Sequence, residues 1–107
     1  MQHIEVLELA ALMADPANKD LQLLDVREAW EVQTAAVHPS IHISMQQIVA
    51  RFNELDPTKL TVCLCHHGAR SMQVAHFLER QGFEQVMNLS GGIDAWSRQV
   101  DSTIATY

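Results

Sequence analysis

A chain of 107 residues, 48% hydrophobic and 19% charged, has the composition of a folded domain with one hydrophobic core and no room for a separate substrate domain. Its net charge is −6 and its 7 Lys and Arg residues are scattered, which argues against nucleic acid as a partner. It contains no apolar run near the roughly 20 residues of a membrane span and no signal-peptide pattern at its start, so we expect no membrane partner and a cytoplasmic location.

Short apolar runs alternate with segments of helical period, and this pattern predicts an α/β domain with a largely parallel sheet of five strands. In chain order we predict strand 3–6, helix 7–14, strand 21–26, helix 28–34, strand 40–43, a helix that begins at Ser44, strand 60–65, a helix that ends at Gln81, strand 84–89 and helix 92–99. Nothing in the composition marks a linker, so we expect a single domain over 1–107.

Local signals predict how three of these helices begin or end. Ser44 and Gln47 have the spacing of a capping box, and Gly82 suits the C-terminal end of the helix before it. Asp25 and Glu28 have spacing suited to an N-terminal cap for the helix at 28–34.

The stretch "CHHGARS" begins with Cys65, which is placed where a strand ends and a helix follows. Ligands of open α/β sheets bind outside the carboxyl ends of the strands, so this is the expected site. Asp25 and Arg27 fall at the end of another strand and are expected to share the same crevice. Two roles remain open for Arg27, which either pairs with a nearby carboxylate or faces the pocket as a second anion contact.

The residue types that follow Cys65 suit an anion-binding turn. Successive backbone N–H groups in a strand-to-helix turn form a nest for anions, and Gly68 accepts the backbone conformation that such a turn needs. The positive end of the next helix and the charge of Arg70 favour a thiolate over a thiol. Ser71 either caps this helix or donates a hydrogen bond to the anion. We therefore expect Cys65 to act as a nucleophile.

Together with "DVREAWE" (25–31) and "GGIDAW" (91–96), this stretch resembles the rhodanese family in its single-domain sulfurtransferase form. The resemblance implies a five-stranded, mainly parallel sheet flanked by helices on both faces. It also implies that Cys65 takes sulfane sulfur from a small donor such as thiosulfate or a persulfide and passes it to a thiol or cyanide-like acceptor, with no cofactor. The expected substrate-binding residues are His66, His67, Gly68, Ala69, Arg70, Ser71 and Arg27.

Two other functions remain open. A sulfur carrier that hands a Cys65 persulfide to a protein partner needs the same loaded cysteine. A phosphatase or an arsenate reductase uses a related loop, but the resemblance assigns five residues between Cys and Arg to those enzymes, and four separate Cys65 from Arg70 here. The segment at 34–44 departs from the family pattern, and this leaves the acceptor undefined.

The remaining candidates favour structural roles. Cys63, two positions earlier in the strand, is expected in the core, as is Trp96. Gly91 and Gly92 suit a turn that lies close to the cysteine loop in this fold. His66 and His67 are zinc-type ligands, but no second Cys/His cluster supplies further ligands, so we predict no metal site. The segment 101–107 carries no recognisable signal.

Overall fold

A five-stranded parallel sheet forms the centre of the structure, a computed structural model that describes residues 1–107. The strand order is β1-β5-β4-β2-β3, and every neighbouring pair is parallel. This arrangement confirms the predicted α/β class. The elements are β1 (Gln2–Ile4), α1 (Val6–Ala14), β2 (Gln22–Asp25), α2 (Ala29–Thr34), β3 (Ile41–His42), α3 (Ile48–Arg51), β4 (Thr61–Leu64), α4 (Ala69–Arg80), β5 (Val86–Leu89) and α5 (Gly92–Gln99).

Helices cover both faces of the sheet, which explains why the central strands are apolar along their whole length. Successive side chains of a strand point to opposite faces. Val62 and Leu64 accordingly join the cluster that contains α1 and α5 residues, while Cys63 and Cys65 join the cluster that contains α3 and α4 residues. The two cysteines therefore share the face against which α4 packs.

The helix predicted to begin at Ser44 is broken into a 3-10 turn, the four-residue α3 and a second 3-10 turn at Phe52–Glu54. The predicted capping box was wrong, because Ser44 makes no side-chain cap hydrogen bond. The N–H of Met45 instead donates to the Val26 carbonyl at 2.9 Å, so the sheet anchors the start of this segment.

The end of α4 matches the prediction. The helix ends at Arg80 with Gln81 as its cap, and Gly82 has a φ of 91°. The N–H of Gly82 donates to the Glu79 carbonyl at 3.1 Å, so this carbonyl at the end of the helix has a hydrogen-bond partner. None of the helices combines the length and the apolar character that crossing a membrane requires.

Candidate functional site

The cysteine loop joins β4 to α4 at the carboxyl edge of the sheet. Cys65 is only 1% exposed, yet its sulfur lies among polar groups. The N–H of Gly68 donates to Cys65 Sγ at 3.1 Å, and Ser71 Oγ lies 3.3 Å from the same sulfur. Gly68 has a φ of 115°, a conformation that favours glycine and turns its N–H back toward the sulfur.

The first turn of α5 binds the backbone carbonyls of this loop. The N–H of Ile93 donates to the Cys65 carbonyl at 2.9 Å, and the N–H of Asp94 donates to the His66 carbonyl at 3.1 Å. Because the C=O and N–H of one peptide unit point in opposite directions, the N–H groups of His66 and His67 point away from α5.

The predicted glycine turn lies where the sequence placed it, against the cysteine loop. A Cβ at Gly92 would come within 2.4 Å of the carbonyl oxygens of Cys65 and His66. No side chain fits in that space, so Gly92 is what allows α5 to approach the loop so closely.

Asn88 on β5 orients the loop through hydrogen bonds to Gly68 and Ser71, a role that sequence reasoning missed. Its side chain is 3% exposed, and its Nδ2 donates to the Gly68 carbonyl at 3.1 Å. Its Oδ1 accepts the hydroxyl of Ser71 at 2.5 Å. A polar residue inside an otherwise apolar strand is the signal that points to this role.

Arg70 was expected to bind substrate and to favour the thiolate through its charge, and in the structure its guanidinium pairs with Glu31 of α2. The two carboxylate oxygens accept from Arg70 Nη1 at 2.5 Å and from Nη2 at 2.8 Å. Glu31 is 3% exposed, and the hydrogen bonds from Arg70 lower the pKa of Glu31 to about 2 despite its burial. The charge of Arg70 is thus fixed beside the loop and largely balanced by Glu31.

Glu31 also belongs to the start of its own helix. Its Oε1 accepts the N–H of Glu28 at 3.1 Å, so Glu28 rather than Asp25 precedes α2 as its cap. The predicted cap at Asp25 was wrong, because that carboxylate pairs with Arg27.

Arg27 lies in the interior and not in the mouth of the loop, so the anion contact expected of it is not formed. Its side chain is 0% exposed, and Nη2 donates to Asp25 Oδ2 and to the Ala35 carbonyl, both at 2.7 Å. Nη1 donates to the hydroxyl of Tyr107 at 3.0 Å. The carboxylate-pairing role left open by the sequence is the one that the structure contains.

His66 and His67 stack on each other, with ring centroids 4.0 Å apart. Burial, followed by the charge of His67, lowers the pKa of His66. Ligand atoms of these two residues and Asp94 lie within 4.8 Å of one another, a grouping that the sequence did not reveal. Arg98 donates to Asp94 Oδ2 at 3.1 Å, and His67 Nε2 lies 3.8 Å from the same oxygen.

Cys63 lies in the core, as predicted. It is 0% exposed, and burial raises the pKa of its thiol to about 12. Its thiol therefore stays protonated and unreactive at neutral pH.

The fold and the loop together define a class of α/β protein in which a cysteine at the end of a parallel strand lies in a polar turn before a helix. The chain belongs to the Rhodanese-like domain family, which matches residues 5–99. This confirms the resemblance found in the sequence.

Individual relatives agree with that assignment. The chain is 41% identical to the chloroplastic rhodanese-like/PpiC domain-containing protein 12 of Arabidopsis thaliana, with all of this chain covered but only 38% of the plant protein. It is 30% identical to the thiosulfate sulfurtransferase GlpE of Vibrio cholerae, with 92% of each chain covered. The crystal structure of a rhodanese-like domain protein from Staphylococcus aureus has a TM-score of 0.85 and 26% identity, covering 100% of this chain and 99% of that one.

Proposed function

We propose that this protein is a rhodanese-type sulfurtransferase in which Cys65 carries sulfane sulfur as a persulfide. The observation that carries the proposal is the 3.1 Å hydrogen bond from the Gly68 N–H to Cys65 Sγ, because it directs a backbone dipole at the reacting atom. The sulfurtransferase named among the relatives covers 92% of this chain and supports the same reaction class.

In the first step, the Cys65 thiolate attacks the outer sulfur of thiosulfate. A bond forms between Cys65 Sγ and that sulfur, the sulfur–sulfur bond of thiosulfate breaks, and sulfite leaves with the bonding electron pair. The loop N–H groups and the start of α4 at Ala69 stabilise the negative charge that moves through the site.

In the second step, an acceptor attacks the outer sulfur of the persulfide. With cyanide, a carbon–sulfur bond forms, the sulfur–sulfur bond of the persulfide breaks, and Cys65 leaves as the thiolate. The enzyme is thus returned to its starting state without an external oxidant or reductant. Ser71 Oγ lies 3.3 Å from Sγ, and rotation of its one hydroxyl proton from Asn88 Oδ1 toward Sγ would stabilise the thiolate that leaves.

Intact-mass measurement after exposure to thiosulfate, and separately to a low-molecular-weight persulfide, tests the proposal. We expect a gain of one sulfur atom that is lost again when cyanide is added, with thiocyanate as the product. Cys65→Ala abolishes the adduct and the turnover. Cys63→Ala is the matched control and retains both, because Cys63 is a buried, protonated thiol.

An unmodified Cys65 with both donors rejects the proposal. A persulfide that passes once to a thiol, with negligible turnover of cyanide, assigns the protein as a sulfur carrier instead. Hydrolysis of an aryl phosphate without sulfur loading points to the phosphatase alternative.

A further inference from the structure

The aromatic side chain of Tyr107 packs against the cysteine loop. The ring of Tyr107 stacks on His66, with centroids 4.1 Å apart and planes 8° from parallel. The same ring meets the edge of Trp30 at 5.8 Å. Since His66 directly follows Cys65, this stack lies beside the cysteine loop, and Cys65 itself is 1% exposed.

The hydroxyl of Tyr107 is bound between two charged groups. It accepts a hydrogen bond from Arg27 Nη1 at 3.0 Å and donates one to Glu31 Oε2 at 2.6 Å. Glu31 in turn holds the guanidinium of Arg70 through both of its oxygens. One hydroxyl therefore connects a buried arginine to the carboxylate that fixes the loop arginine.

The segment 101–107, which we call the strap, is attached at its base and exposed in its middle. The N–H of Asp101 donates to the Trp96 carbonyl at 3.0 Å, and Ile104 packs against the core cluster of α1 and α5. The next two residues, Ala105 and Thr106, are exposed. Tyr107 also packs against that cluster, but the exposed pair before it allows its ring to separate from His66 while Ile104 stays in place.

We propose that Tyr107 determines access to Cys65 and positions Arg70 through Glu31. With the ring on His66 the sulfur is closed to donors and acceptors, and each transfer requires the ring to leave. The inference rests on the proposed function only in taking Cys65 as the reacting atom. Because opening must be wider for a larger reagent, the strap selects small sulfur donors over bulky ones.

Alkylation of Cys65 measures this access without any sulfur transfer. Iodoacetamide is attacked by the thiolate, a carbon–sulfur bond forms, and iodide leaves. Tyr107→Ala removes the stack and both hydrogen bonds, and we expect alkylation to be at least about tenfold faster than in the wild type. Tyr107→Phe keeps the ring but loses the hydroxyl, so its rate lies between the two. The acceleration is larger for a maleimide that carries a bulky fluorophore.

Two controls accompany these variants. Thr106→Ala changes the exposed neighbour of Tyr107 and leaves the rate within about twofold, because that side chain is exposed to solvent. Cys65→Ala in the Tyr107→Ala background removes the adduct and so assigns the reaction to Cys65.

The His66 ring protons provide a signature that does not depend on reactivity. Stacking on Tyr107 shifts their NMR resonances by the ring current, and Tyr107→Phe retains that shift whereas Tyr107→Ala loses it. In Tyr107→Phe, a weaker hold on Arg70 raises the KM for thiosulfate more than it lowers kcat.

The outcomes separate this inference from the proposed function. If sulfur loads normally and Tyr107→Ala changes the alkylation rate by less than twofold, the role of Tyr107 is rejected and the sulfurtransferase proposal stands. Accelerated alkylation in a protein that never takes up sulfur supports the strap and rejects the sulfurtransferase.

Discussion

Replacement of Glu31 by Gln tests the ion pair that holds Arg70 beside the cysteine loop. The amide keeps the shape of the side chain but brings an NH2 group against a guanidinium that needs an acceptor on both nitrogens. A charge-assisted, two-point interaction is thus exchanged for at most one neutral hydrogen bond.

The pKa of Glu31 gives the size of the expected loss of stability in Glu31→Gln. Its ordinary value of 4.5 is lowered to about 2 in the folded protein, first by the hydrogen bonds from Arg70. At about 1.4 kcal/mol for each tenfold change in proton affinity, this corresponds to roughly 3 kcal/mol of stability from the ionised group. We expect Glu31→Gln to lower the free energy of unfolding by about 2 to 3 kcal/mol at neutral pH.

The sign of the pH dependence follows from the lowered pKa. The stabilisation is complete above the unfolded pKa of 4.5 and is lost as the pH falls toward about 2, where the folded protein also binds the proton. Urea denaturation of both proteins across this range should therefore show the difference between them shrink as the solution becomes more acidic.

The control is Glu54→Gln, which breaks a similar pair with Arg51 on an exposed surface. Solvent screens that pair, so its loss should change the unfolding midpoint little. If Glu31→Gln destabilises the protein no more than Glu54→Gln, or if its effect does not change between about pH 5 and pH 2, the reasoning about the buried pair is wrong.

Two further substitutions test how the loop is built. Gly92→Ala places a Cβ 2.4 Å from two loop carbonyls at a φ of 58°, and we expect a loss of more than about 2 kcal/mol in thermal unfolding. Gly82→Ala has a similarly unfavourable φ of 91° but meets no atom within 4 Å, so it should cost clearly less; equal losses would contradict the clash. Asn88→Ala removes the contacts that order Ser71 and the Gly68 carbonyl around the sulfur, and sulfur loading of Cys65 should slow by about tenfold in stopped-flow or quenched mass measurements. Ser71→Ala in that background should add little, because the two residues act as one unit; full additivity would refute the link.

The order of strands and helices and the position of Cys65 can be predicted from the sequence, because the signals for them are local. Apolar runs of strand length separated by helical periods are sufficient for a parallel α/β sheet, and Cys65 comes directly after such a run. The carboxyl ends of parallel strands lie at one edge, so the position of the cysteine at that edge follows from the chain direction alone. Gly82 and the Gly91–Gly92 pair mark turns for the same local reason.

The residues that contact the loop come from distant parts of the sequence, so no local pattern predicts them. Arg70 and Glu31 are 39 residues apart and meet only because β4 lies beside β2 in the sheet, which brings the helices that follow these strands together. The sequence leaves open whether Arg27 pairs with a carboxylate or faces the pocket, and only the folded structure shows it buried against Asp25.

Tyr107 shows most clearly how contacts between distant residues escape a reading of the sequence. The sequence determined by itself the strand, the turn and the position of the cysteine between them, since each depends on neighbours within a few residues. The tertiary structure alone decided what covers them, because the contact of Tyr107 with Glu31 closes a separation of 76 residues and depends on α5 directing the strap back across the loop.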